Sequence, residues 1–283
     1  MVRLGAHMSI AGGLDKAFDR ICEVGGEALQ IFTKNQRQWR SKPLTVQEIE
    51  LFKQKRQQCG NMTVAAHASY LINLASVAGE AADKSLQALI DELQRCDLLG
   101  IPYLVIHPGS HGGAGEEVGI KRAIELTDRA LGSLPPDSPV MLLLETTAGQ
   151  GNALGASFEQ LAAIIDGLPD SHKVGICLDT CHIFAAGYDI RTSESCSRTI
   201  TELNETIGLD RLRFIHLNDS KKPLGSKIDR HEHIGRGEIG SEAFRCLLND
   251  PRLADLPMTL ETPKSKDMAE DKENLALLRS LIA

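Results

Sequence analysis

The sequence predicts an α/β protein whose eight parallel strands close into a single (β/α)8 barrel, and three observations lead there. Eight short runs rich in apolar and β-branched residues recur along the 283-residue chain. A segment of helical patterning follows each run, the alternation that builds a parallel sheet. Most of the runs are continuously apolar, as strands covered on both faces must be. An open doubly wound sheet is the alternative. No Gly-rich phosphate loop of the G-x-G-x-x-G or Walker type follows any run, which removes that fold's usual functional signature.

In chain order the runs are VRLGAH (2–7), ALQIF (28–32), TVAAH (63–67), YLVIH (103–107), VMLLLE (140–145), VGICLD (174–179), LRFIH (212–216) and MTLE (258–261). Between them, LTVQEIELFKQKRQQ opens with Thr45 three residues before Glu48, a capping box in which each side chain satisfies the other residue's backbone N–H. SFEQLAAIIDGL opens the same way with Ser157 and Gln160. The last helix, near residues 267–282, sets Leu275, Leu278 and Ile282 on one face. No internal repeat beyond the strand–helix unit, low-complexity tract or linker interrupts the chain, and its length suits one barrel of roughly 250 residues. Residues 1–283 are expected to form one domain.

The last residue of each run is informative: His7, Phe32, His67, His107, Glu145, Asp179, His216 and Glu261. Barrel enzymes build their sites at this end of the strands. A lone histidine finishing a strand is more often a packed or hydrogen-bonded residue than a ligand. Seven metal-binding types among eight strand ends are different, because burying so many ionisable groups is costly without compensating cations or hydrogen bonds. His182, three residues after Asp179, and the pair Asp229 and His231 lie just past strand ends. Imidazole and carboxylate donors without thiolates suit Zn2+, with Mn2+ or Fe2+ as substitutes. Leaving out His7, nine candidates exceed one tetrahedral ion and match two or three ions bridged by carboxylates. In CLDTCH (177–182), Asp179 and His182 are thus the working residues. The seven cysteines are scattered, form no C-x-x-C and read as packing residues, although a ligand role for one of those in CLDTCH stays open.

A net charge of -7 argues against a protein that merely coats nucleic acid, but not against an enzyme whose basic residues cluster. KNQRQWRSK (34–42) carries Lys34, Arg37, Arg40 and Lys42, no acidic residue and the only tryptophan. SKKPLGSKIDR (220–230) sets Lys221, Lys222, Lys227 and Arg230 against Asp229 alone. Either loop by itself reads as a solvated surface. Both follow strands, however, and therefore flank the rim that holds the candidate ligands. HASYLINLA adds Tyr70 and Leu71 next to His67. Basic loops with aromatic and apolar wedges suit a protein that grips DNA and unstacks it. Nothing in MVRLGAHMSIAGG resembles a signal peptide and no apolar run approaches the ~20 residues of a membrane helix. A cytoplasmic protein without a membrane partner is expected.

Clustered divalent ions serve phosphodiester hydrolysis, and paired ions on barrels also serve sugar isomerisation. The motifs FTKNQRQWR, HASYLINLA, HPGSH, TAGQG, DTCHIFAAGYD, HLNDSK and DRHEHIGRGEIG, in this order along nearly the whole chain, closely resemble the endonuclease IV family of apurinic/apyrimidinic endonucleases. The resemblance implies a TIM barrel with three zinc ions. His67, His107 and Glu145 would hold the first. Glu145 would bridge to the second, completed by Asp179, His216 and Glu261, and His182, Asp229 and His231 would hold the third. The implied reaction is DNA repair: hydroxide attack on the phosphodiester 5′ to an abasic site in duplex DNA, oriented by Glu261 and leaving a 3′-hydroxyl and a 5′-deoxyribose phosphate. Removal of blocking groups from 3′ ends goes with it. Three divalent ions would outweigh the four ligand carboxylates by two charges, which suits a phosphate. Arg37, Tyr70 and Leu71 match positions that enter the minor groove, and Lys34 and Arg230 join them as DNA contacts. His7 would support the site or touch substrate. The chain departs from the pattern at Thr146, where the family usually has asparagine, which would alter a hydrogen bond behind the ligands and with it metal affinity or rate.

Rival readings are weaker. A sugar isomerase or epimerase on the same barrel would not need His182 with Asp229 and His231, nor the basic loop with Trp39. A metal-dependent amidohydrolase would carry H-x-H on the first strand, where this chain has GAHMS. A non-catalytic DNA-binding module would tolerate loss of Glu261. His233 reads as a polar residue rather than a further ligand, His111 as exposed or DNA-facing, and His172 as solvated. A monomer is expected, since a lesion nuclease needs its rim open to duplex DNA.

Overall fold

The computed structural model describes residues 2–283. Its strands are β1 (Arg3–His7), β2 (Ala28–Ile31), β3 (Thr63–His67), β4 (Tyr103–Ile106), β5 (Met141–Glu145), β6 (Val174–Asp179), β7 (Leu212–His216), β8 (Asp219–Ser220), β9 (His231–Glu232) and β10 (Pro257–Leu260). All but β8 and β9 pair in parallel, and β1 pairs with both β2 and β10, so the sheet closes into the expected eight-stranded TIM barrel. The helices α1 (Lys16–Glu23), α2 (Val46–Gln58), α3 (Glu80–Leu99), α4 (Glu116–Leu131), α5 (Phe158–Asp166), α6 (Thr180–Ala186), α7 (Ser193–Thr206), α8 (Ser241–Asn249) and α9 (Ala269–Ser280) intervene. None of the described helices is long and apolar enough to cross a membrane.

Local chemistry sets the boundaries with small departures from the expected ones. Thr45 and Glu48 form the full capping box of α2: the Glu48 N–H donates to the Thr45 hydroxyl and the Thr45 N–H to the Glu48 carboxylate. At α5 only half of that device forms. The Gln160 N–H reaches the Ser157 hydroxyl, but the Gln160 carboxamide oxygen accepts from Gly155 and Ala156 instead, stitching the preceding loop. Along α9, Leu275 and Leu278 are buried, but the helix ends at Ser280. Ile282 is exposed, and Leu281 takes the buried place expected for it.

Two cores result. The larger one lies between strands and helices. The smaller plugs the barrel with Ala65, Val105, Leu143, Cys177 and Phe214. Strand side chains alternate faces, so the residues two further along, His67, His107, Glu145, Asp179 and His216, form the next tier inside the barrel. Fully burying a side chain such as Phe214 contributes roughly 1.5–3 kcal/mol, and this apolar floor keeps water from beneath the polar tier. Cys177 is one of its floor residues.

Candidate metal centre

Six of the nine candidate ligands come from strand ends, with His107 and Glu261 each one residue past β4 and β10. His182 rises from α6, which Asp179 caps by accepting the His182 N–H. Asp229 and His231 enter on the β7–α8 connection, which the antiparallel β8–β9 pair folds back over the barrel mouth. Three groups share donor atoms within 4.8 Å of one another: His67, His107 and Glu145; Glu145, Asp179, His216 and Glu261; and His182, Asp229 and His231. Glu145 joins the first two, with His67 Nε2 2.9 Å and His107 Nε2 3.1 Å from Oε2, and His216 Nδ1 2.9 Å from Oε1. Asp229 spans the third, 3.2 Å from both His182 Nε2 and His231 Nε2. Cys181 forms a fourth grouping with Asp179 and His231. Both partners already belong to other groups, so Cys181 adds no separate set of donors.

The hydrogen bonds behind the ligands decide which imidazole nitrogen is free. A carbonyl only accepts, so the nitrogen facing one must carry the proton. His67 Nδ1 faces Ala68 O at 2.8 Å, His182 Nδ1 faces Thr146 O at 2.8 Å and His231 Nδ1 faces Glu261 O at 3.1 Å, which leaves each Nε2 toward the carboxylates. His216 is reversed: its Nε2 donates to Gln30 Oε1 at 2.7 Å and its Nδ1 turns inward. The His231 Nε2 is buried without a hydrogen bond, as a donor awaiting a cation would be. Donor types, spacing and tautomers therefore fit divalent metal.

Electrostatics agree. Burial works against the His67 and His231 imidazoliums, yet neighbouring carboxylates, chiefly Glu145 for the one and Asp179 for the other, raise both to about 9. Burial likewise opposes ionisation of Glu145, and His107 and His216 overcome it, holding the carboxyl well below its usual range. Asp229 and Glu261 are held low in the same way. Without metal the imidazoles would hold protons where the carboxylates demand cations.

On the rim, Arg37 and Tyr70 are exposed, Tyr70 at 66%, Leu71 is half-buried and Arg230 is exposed. Lys34 departs from the expectation. Its ammonium, 1% exposed, donates to Asp91 at 2.5 Å and lies 3.6 Å from Glu92, so its charge is consumed within the protein instead of facing a phosphate. His7 stands 3.2 Å from Glu261 through Nδ1. His233 accepts from Asn274 and lies in none of the donor groups, His111 accepts the Gly115 N–H within its own loop, and His172 is exposed.

Residues 18–281 match the family described as Xylose isomerase-like TIM barrel. A relative named "Probable endonuclease 4" from Chloroflexus aurantiacus is 55% identical over 282 residues, spanning 100% of this chain and 99% of its own. The crystal structure of endonuclease IV from Thermus thermophilus is 39% identical with a TM-score of 0.88, over 99% of this chain and 98% of that one. The chain belongs to the endonuclease IV family. A D-tagatose 3-epimerase-like structure also superposes, at a TM-score of 0.76 over 99% and 98% of the chains, but at 19% identity it shares the fold alone.

Within this endonuclease IV family chain, two polar residues behind the ligands escaped the sequence reading. Gln30, fully buried in β2, donates to Glu261 Oε1 at 2.6 Å while accepting from His216, and so ties two donors of one group. Gln30 is the lone polar residue in ALQIF, the signal the sequence carries for it; Phe32 lies one residue past the end of β2 and packs 4.4 Å from the His7 ring. Asn218 donates to Asp179 Oδ2 at 2.6 Å and accepts the Glu261 N–H at 2.8 Å. The Thr146 hydroxyl accepts the Asp179 N–H at 2.9 Å, and its carbonyl accepts from His182 Nδ1 at 2.8 Å.

Proposed function

We propose that this protein is a metal-dependent DNA-repair endonuclease that hydrolyses the phosphodiester 5′ to abasic sites in duplex DNA and clears blocked 3′ ends. The supporting observation is the run of three donor groups, the first two joined by Glu145, at a barrel mouth flanked by basic loops. Kinship with proteins named endonuclease 4 and endonuclease IV supports the same reading.

His67, His107 and Glu145 would hold one ion, Glu145, Asp179, His216 and Glu261 a second, and His182, Asp229 and His231 a third, with zinc the best match to a donor set of imidazoles and carboxylates. When bound, such ions supply Lewis acidity toward the phosphate and lower the pKa of water. Glu261, held in place by His7 and Gln30, orients the attacking hydroxide. The hydroxide oxygen adds to phosphorus, the P–O3′ bond breaks, and the departing 3′-oxygen takes a proton from solvent water to become a hydroxyl while the abasic sugar keeps the phosphate. Arg37, Tyr70 and Leu71 enter the distorted duplex and Arg230 contacts its backbone.

The test is incision of a labelled duplex carrying one stable abasic analogue by wild type and Glu261→Gln, each before and after prolonged chelation with zinc restored. A single cut 5′ to the lesion that requires both Glu261 and metal is expected. Failure of zinc-loaded wild type to cut would overturn the reading and turn attention to sugar epimerisation.

A further inference from the structure

We propose that Asp91, Glu92 and Arg95 of α3 form a clasp that closes both ends of the basic 33–42 loop, with Arg95 as the positioning residue that presents Arg37 and Trp39 at the rim. That the loop is clasped rests on geometry alone; that it grips duplex DNA rests on the nuclease reading above.

Apolar packing does not hold this loop. Every residue from Asn35 to Pro43 except the half-buried Gln36 is exposed, and Trp39, Arg40 and Ser41 stand across a groove from Glu80, Lys84 and Gln87 of α3. The order comes from the ends. Arg95 Nη2 donates to the Thr33 carbonyl at 2.6 Å, and its Nη1 donates to the Lys42 carbonyl at 3.1 Å. One planar guanidinium thus holds the first and last residues of the loop, a geometry a lysine cannot reproduce. Beside it, the Thr33 hydroxyl donates to Glu92 Oε2 at 2.6 Å and Lys34 pairs with Asp91 and Glu92. Glu92 is 1% and Arg95 6% exposed. Buried charges are tolerated only when their hydrogen bonds are made, and here loop groups make many of them. Opening the loop would strand those charges, which couples its order to the burial of the network. Ser69, from the β3–α3 connection, adds a tie by donating to the Gln36 carbonyl at 2.6 Å.

A loop ordered before binding costs no ordering entropy on binding. Loss of the clasp moves that cost to the encounter with DNA, so KM rises while the chemistry at the barrel mouth, which Arg95 does not touch, proceeds unchanged. The loop also carries its own reporter, because Trp39 is the only tryptophan of the chain.

The experiment is time-resolved Trp39 fluorescence anisotropy on full-length wild type, Arg95→Met and Arg95→Lys, combined with steady-state incision of the abasic duplex. Wild type is expected to depolarise with whole-protein tumbling. Arg95→Met gains a fast local component and a KM raised about tenfold, with kcat and bound zinc unchanged. Arg95→Lys, which reaches one carbonyl, falls between. Free local motion of Trp39 in wild type overturns the clasp, as does a variant with unchanged anisotropy and KM, or one whose loss appears in kcat. Should Arg95→Met not fold, the wild-type decay and Arg95→Lys decide. A rigid Trp39 in a protein that cuts no abasic duplex leaves the clasp standing and removes the nuclease reading.

Discussion

Gln30 shows how much a single uncharged side chain can organise. It bonds His216 Nε2 through its oxygen and Glu261 through its nitrogen, fixing one donor's tautomer and another's orientation at once. Gln30→Leu preserves burial and removes both bonds. Such partners behind ligands are worth 10–100-fold in metal affinity, so about one zinc per chain is expected to dialyse away under conditions that spare wild type, read by metal analysis. Lys34 and Arg230 make the opposite contrast, since equal charge does not mean equal role. Arg230→Ala is expected to lower the slope of log KM against log salt by about 1. Lys34→Gln, whose ammonium is paired internally, leaves that slope unchanged even as KM rises. A salt slope altered equally by both would put Lys34 on the phosphate.

Among the elements, the β7–α8 connection does most to assemble the site. Asp219, fully buried at the start of β8, accepts backbone N–H groups from Ser220 at 2.7 Å, Gly237 at 3.0 Å, Ile239 at 3.0 Å and Gly240 at 3.3 Å. A Cβ at Gly237 would meet the Asp219 carboxylate and the Ser220 carbonyl at 2.4 Å, which accounts for a glycine in GRGEIG. These bonds gather the chain around His231. Asp219→Ala leaves several buried donors unpaired at about 1–3 kcal/mol each. A loss of at least about 3 kcal/mol in denaturant unfolding is expected, together with loss of zinc from the His182–Asp229–His231 group. A variant that keeps both full stability and full zinc would deny Asp219 this role.

For the molecule as a whole, the centre links metal binding to stability and pH. His67 rises from an ordinary 6.5 to about 9 in the metal-free fold because neighbouring carboxylates outweigh its burial. A raised folded pKa stabilises fully below 6.5, and that stabilisation fades as pH climbs through 9. Metal competes with the same proton, so zinc affinity rises over the same window. The gap in Tm between zinc-loaded and chelated protein is therefore expected to widen from pH 6.5 to pH 9, with protons released on zinc addition. A gap that narrows over this range would show that protons and zinc do not share these nitrogens.

The chain alone determined the barrel, its eight strands and the convergence of nine candidate ligands, because a two-residue strand period and repeated strand-then-helix units are local signals. Tertiary structure decided which nitrogen of each histidine faces inward, that Gln30 and Asn218 tie ligands together, that Gln160 turns back to its own loop and that Lys34 points inward. Lys34 meets Asp91 57 positions away and His216 meets Gln30 186 positions away. Such partners are chosen by the closure of the barrel and the packing of α3 against it, and no periodicity along the chain records them.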